Sequence, residues 1–203
     1  MALSMNVAVI GLVVSVASLL ISGITFWLTV VRRGRLAATM PSIIFFGFDN
    51  IPKPTAKVFL RTLLYSTASQ GQVVESMYVV LQRRDGVRRT FSFWGYDEGA
   101  KLVPGSGLYV SRSGVAANHH FVLSAHEEAY QFDPSDYTIE LFARLVANAD
   151  PVKLSTIEIG LSIANAHMLG KGSGILFERL PETGEYIGHV NSDREFPKPV
   201  PNG

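Results

Sequence analysis

His119 and His120 stand side by side, with His126, Glu127 and Glu128 shortly after them and Asp97 and Glu98 upstream. Imidazole nitrogen and carboxylate oxygen are the donors of transition-metal sites and the bases of hydrolytic mechanisms. The stretch around the two histidines is predicted to be a strand, and consecutive strand residues point to opposite faces, so only one of the pair joins any given site. That leaves a membrane-bound hydrolase or metal enzyme built on His119 or His120 as an alternative reading, against ordinary surface or core histidines. Two glycine-containing stretches fail the motifs they suggest. Pro104 to Leu108 reads PGSGL, without the spacing of a G-x-S-x-G nucleophile elbow. Gly170 to Ser173 reads GKGS, without the spacing of a phosphate loop. Both read as turns, and no cofactor signature is legible.

Arg83, Arg84, Arg88 and Arg89 flank Asp85-Gly86 and gather four guanidinium groups at one predicted hairpin tip. With Arg32, Arg33 and Arg35 they are candidate contacts for anionic lipid headgroups, where each basic residue adds about 1 kcal/mol near the surface. Trp94 and Tyr96 beside Asp97 and Glu98 suggest a pocket lining or the cap of a sheet end. A formal net charge of +1 gives no field that would gather nucleic acid, and no nucleic-acid-binding motif is present. With zero cysteines there is no disulfide framework, thiolate metal site or cysteine nucleophile.

These side chains sit on segments with strand character. PSIIFFGFD (Pro41 to Asp49), KVFLRTLLYS (Lys57 to Ser66), Val73 to Gln82 and Arg89 to Tyr96 are separated by turn signals. Asp85-Gly86 predicts a two-residue type I′ turn between the last two. Tyr137, Ile139, Leu141, Ala143 and Leu145 alternate with polar residues, as do Ile157, Ile159, Leu161 and Ile163, which is the period of a half-buried strand. FDPSDYTIEL (Phe132 to Leu141) is similar to the tyrosine corner of immunoglobulin-like sandwiches, whose hydroxyl returns to backbone a few residues upstream. Asn165 to Leu169 predicts a short helical turn, and Gly174 to Leu180 with Glu185 to Val190 a closing hairpin.

Ahead of this domain, Asn6 to Val31 carries no charged side chain, and at 1.5 Å per residue it spans about 39 Å against a hydrocarbon core of about 30 Å. The arginines follow the apolar run, unlike those of a cleavable signal peptide, and their bias predicts a cytoplasmic C-terminal side. Ser4, Ala8, Gly11, Ser15, Ser18, Ser22, Thr25 and Thr29 recur at alternating spacings of four and three, a heptad stripe of small or hydroxylated residues. In lipid, close approach over small residues is what joins helices, so the stripe predicts a second transmembrane helix as partner.

The stretches PSIIFFGFD, KVFLRTLLYSTASQG (Lys57 to Gly71), GSGLYV (Gly105 to Val110) and NHHF (Asn118 to Phe121) resemble an uncharacterised family of bacterial single-pass membrane-anchored proteins. The resemblance covers most of the domain, implies a bacterial origin and assigns no activity; with the apolar helix, the expected location is the bacterial inner membrane. The expected architecture is mainly β: a transmembrane α-helix with its basic flank (residues 1–35), an immunoglobulin-like antiparallel β-sandwich (36–195) and a proline-rich tail (196–203). The expected function is a non-enzymatic, membrane-anchored interaction or assembly module whose partners are lipid and another helix. A lipid- or envelope-sensing domain is the other alternative.

Overall fold

The computed structural model describes residues 2–31, 34–50, 53–68, 70–98, 101–105 and 107–191, with backbone only for 2–8, 30, 31, 98 and 101. Arg32, Arg33, the tail 196–203 and the side chains of Ser4, Ala8 and Glu98 therefore lie outside the described residues.

Helix α1 (Ala2–Phe26) runs on into a π-helical segment, Trp27–Val31. Across the two, Val9–Thr29 is long and apolar enough to cross a membrane, and none of that span is buried by the other described residues. The remainder is a β-domain with one short helix. Its strands are β1 (Leu36–Ala38), β2 (Ile43–Asn50), β3 (Pro54–Ser66), β4 (Gln72–Arg83), β5 (Arg88–Glu98), β6 (Lys101–Pro104), β7 (Leu108–Val110), β8 (Val115–Leu123), β9 (Ser135–Leu145), β10 (Val152–Leu161), β11 (Gly174–Arg179) and β12 (Tyr186–Asn191). Helix α2 (Ile163–Gly170) follows β10.

Among the described residues all twelve strands belong to one antiparallel sheet, ordered β10-β9-β4-β5-β8-β3-β2-β11-β12, with β1 on β3, β6 on β5 and β7 on β4. The two ends of that order, β10 and β12, lie against each other, and β1 also meets β10, so the sheet curls into a near barrel. This differs from the expected sandwich of two sheets. The long strands β3 and β4 are laddered on both edges, β3 to β2 and β8, β4 to β5 and β9, which leaves no free edge at which the sheet would divide.

Alternation along each strand sorts residues into an interior and an exterior. Val58, Leu60 and Leu64 of β3 and Ile139 of β9 are wholly buried inside, with Tyr137, Leu141 and Ala143. An aromatic cluster fills the interior: Phe46 stacks on Phe132 at 4.6 Å between centroids and meets Tyr137 and Phe177 edge-on. The tyrosine corner forms as predicted locally, since the buried Tyr137 hydroxyl donates to the Asp133 carbonyl at 2.6 Å. Burial pushes that phenol up to about 12.

Two local expectations are corrected. The β4–β5 connection is a three-residue loop, not a two-residue type I′ turn: Arg83 N–H donates to Val87 O, Gly86 N–H to Arg83 O, and only Gly86 takes a positive φ, of 93°. A turn followed by a left-handed glycine satisfies the strand twist without forcing Asp85 into positive φ. The second correction concerns Ile163, which does not continue the inward face of β10. The strand stops at Leu161, Ser162 caps α2 by accepting from Asn165 N–H at 3.1 Å, and Ile163 stands exposed at the helix start.

Candidate functional site

Parity along β8 sends its two histidines apart. His119, opposite Leu60 and Tyr96 in the ladders, points inward and is 1% exposed. Neither of its ring nitrogens has a hydrogen-bond partner of normal geometry. Burial drives its pKa down to about 4, further than the nearby Thr62 backbone can restore it, and neighbouring His120 lowers it a little more. His119 is thus neutral, with the Phe93 ring beside it at 6.2 Å.

His120 points outward, opposite Phe59, whose ring lies 5.2 Å away. Its Nε2 is 3.0 Å from Asp97 Oδ1, and Asn118 Nδ2 donates to the other Asp97 oxygen at 2.7 Å. A carboxylate on one ring nitrogen orients an imidazole as it does in catalytic dyads. Here the neighbours just named are an amide and a phenyl ring, and neither is a nucleophile.

The other residues named with the histidines do different work. Glu127 accepts from Thr90 N–H at 2.9 Å and lies with Glu128 against Arg89, at 3.7 and 3.2 Å. His126 is exposed, 4.0 Å from Glu127. Among the described residues no three His, Asp or Glu side chains converge on a point that would hold a metal.

The arginine tip is assembled as the hairpin predicts, but each arginine meets acids from elsewhere in the chain. Arg83 pairs with Asp85 and Asp133, Arg84 with Asp136 at 2.9 Å, and Arg88 with Glu140 at 3.8 Å. The Arg83 guanidinium, together with the Val87 N–H, holds the Asp85 carboxyl below the usual carboxylate range. The tip is therefore a mixed-charge surface. It also lies at the far end of β4 from Gln72, whose side chain donates to Gly34 O, three residues after the end of the N-terminal helical segment.

Of the concave feature best suited to a ligand, the sequence points to Trp94 alone; Tyr96 and Asp97, named with it as a pocket lining, are not among its walls. Past the pair Lys57↔Val122 the β3–β8 ladder ends, and Pro54–Ala56 diverge from Leu123–Ala125. A cavity of about 640 Å³ opens in the split. Phe48, Ala56, Phe93, Leu123 and Tyr130 give it apolar walls, and Trp94 joins them from the bulge where β5 slips register against β8. Polar groups gather at the edge: Lys53, Thr55, Glu127 and the hydroxyl pair Ser92 and Ser124, 2.5 Å apart. An apolar hollow with a few polar groups is the common form of a small-molecule site, for which volumes run from about 300 to 1,000 Å³. Two other hollows suit a ligand less well. One, about 280 Å³, is a recess between α2 and the approach to β9, and the other, about 550 Å³, is a polar cleft at the β10–β12 seam.

Comparison with protein-family models, curated proteins and solved structures gives no match to this chain.

Proposed function

We propose that the chain is a non-enzymatic interaction module, anchored in a bacterial inner membrane by α1 and recruited into an assembly along the small-residue stripe of that helix. The observation that carries this reading is that the 21-residue apolar span is not buried by any of the other described residues. Surface of that kind is stable only in lipid or against another apolar helix. Gly11, Ser15, Ser18 and Ser22 share one exposed line, and Ser15 and Thr29 already satisfy their hydroxyls on their own helix, at Gly11 O (2.8 Å) and Thr25 O (2.7 Å). Packing over small side chains, more than interhelical hydroxyl bonds, would then hold the partner. The soluble domain is cytoplasmic in this proposal, as the arginines after the helix favour.

Purification of the native full chain in mild detergent should recover another membrane protein or a second copy. Ser18→Leu should release it, and Val14→Leu on the bulky face should not. A clean monomer from wild type, or equal behaviour of the two variants, would sink the proposal. A reporter active only in the periplasm, fused after the barrel, should stay silent.

The cavity at the β3–β8 split favours a second reading, a domain that senses a lipid or another apolar ligand. Trp94 lines the cavity and Trp27 is the other tryptophan of the chain, so Trp27→Phe leaves Trp94 as a single reporter. Energy transfer from Trp94 to a fluorescent fatty acid should saturate in that background and disappear when Ala129→Phe fills the cavity edge without adding a second donor. Identical titrations with and without Ala129→Phe would count against it.

A further inference from the structure

We infer that the rim of the barrel beside the anchor seats on the lipid headgroup layer, with Val73, Tyr109 and Val146 as its apolar contacts and Arg35 and Arg112 as cations; the inference rests on the membrane-anchored reading of α1.

The tether leaves the barrel little freedom. The described helical segment ends at Val31, and Gly34 is already fixed to the barrel, because its carbonyl accepts from Gln72 Nε2 at 3.1 Å. Three residue steps cover at most about 11 Å even when fully extended. Thr29 ends the apolar span, so the rim stands within roughly the thickness of the headgroup layer plus one side chain of the hydrocarbon. The attachment is stitched, not loose. Arg35 N–H donates to Thr67 Oγ1 at 2.8 Å, Thr67 N–H returns to Arg35 O at 3.0 Å, and Ser66 N–H reaches Ser111 O at 3.0 Å. Arg112, the next residue, is exposed.

This same rim displays apolar surface that the barrel leaves unused. Val73 pairs with Tyr109 across β4 and β7, and Val146 N–H donates to Val73 O at 3.1 Å, so the three side chains belong to one patch. They are 50%, 66% and 67% exposed. Exposed Glu75 and Asp150 lie on the same segments and offset part of the cationic charge, so apolar insertion contributes more to the seating than attraction to anionic lipid. The four-arginine tip faces the other way. Strand β4 climbs twelve residues from Gln72 to Arg83, which at about 3.4 Å per residue and a barrel tilt near 40° raises the tip on the order of 25–30 Å above the rim.

The absence of cysteine allows single labels. An environment-sensitive fluorophore is placed at Ser113→Cys on the rim, Arg84→Cys on the tip or Val14→Cys in the helix. Each full-length chain is reconstituted in phosphatidylcholine vesicles containing lipid with a nitroxide on its headgroup or acyl chain. The expected result is headgroup quenching at 113, acyl quenching at 14 and neither at 84, with quenching at 113 weakened when Tyr109→Ser and Val146→Asp are added. Quenching at 14 with none at 113, or quenching at 113 that ignores the double substitution, overturns the seating while leaving the anchor intact. No quenching at 14 overturns the anchor, and the result at 113 then decides the rim by itself.

Discussion

The two faces of the barrel wall use the same strands and impose opposite conditions on what they carry. Inside, Val58, Leu60 and Leu64 of β3 have no exposed surface and pack with the Phe46, Phe132 and Tyr137 rings. Outside, Arg61 stands in solvent, and Tyr78 of β4 stacks half-exposed on Phe142 of β9 at 4.9 Å. His119 and His120 make the contrast within two consecutive residues: one is sealed in and held neutral, the other is oriented by Asp97. What a side chain does here follows from which face its position selects, more than from its chemical type.

Phe46→Ala should sharpen that contrast most. It removes a wholly buried ring from the centre of the cluster, and such truncations cost about 3–5 kcal/mol because the site collapses only in part. Denaturant unfolding of the full chain in detergent is the measurement, and a loss under about 1 kcal/mol would mean that the interior is not close-packed around this ring.

Acid probes the same interior through His119. Its folded pKa, about 4, lies below the ordinary 6.5, so the unfolded chain binds the proton first as pH falls. The resulting stability is fully present above about pH 6.5 and is lost progressively down to pH 4, an amount that reaches about 3 kcal/mol. His119→Leu should flatten that limb of the stability profile. An unchanged acid limb in His119→Leu would show that the imidazole is hydrated or paired in solution.

The smallest effect belongs to the exterior. Tyr78→Ala gives up a stacked cross-strand pair worth about 0.5–1 kcal/mol while leaving the interior untouched. A loss as large as that of Phe46→Ala would break the comparison, because it would mean that another surface covers the outer face.

Patterns confined to one strand or one turn are legible in the amino-acid sequence. Tyr137 to Leu145 and Ile157 to Leu161 alternate as they fold, and the Tyr137 hydroxyl finds its upstream carbonyl. The step from that corner to a sandwich does not follow, because a tyrosine corner fixes a strand entrance and says nothing about which distant strands share a ladder. Strands β1, β6 and β7 are three or four residues long, too short to show a period. The tip arginines are visible in the sequence, but their counter-charges come from Glu127, Glu128, Asp133, Asp136 and Glu140, which only the fold brings near. Of the cavity the sequence offers only Trp94, one of the residues read as a pocket lining, since the other walls come from the ends of strands far apart along the chain.

The strand order also dictates a sequence of events during synthesis. Hairpins such as β4–β5, β9–β10 and β11–β12 close locally, but Val58 waits for Phe121, Val74 for Leu145 and Phe46 for Ile175 before its ladder exists. At roughly 5–20 residues per second, the ribosome needs on the order of ten seconds after Val31 to supply Leu145. The apolar helix is complete throughout that interval. With that helix as the proposed anchor, the nascent chain meets the bilayer while its barrel is still a set of disconnected hairpins, and the long-range pairing takes place on a chain fixed at one end.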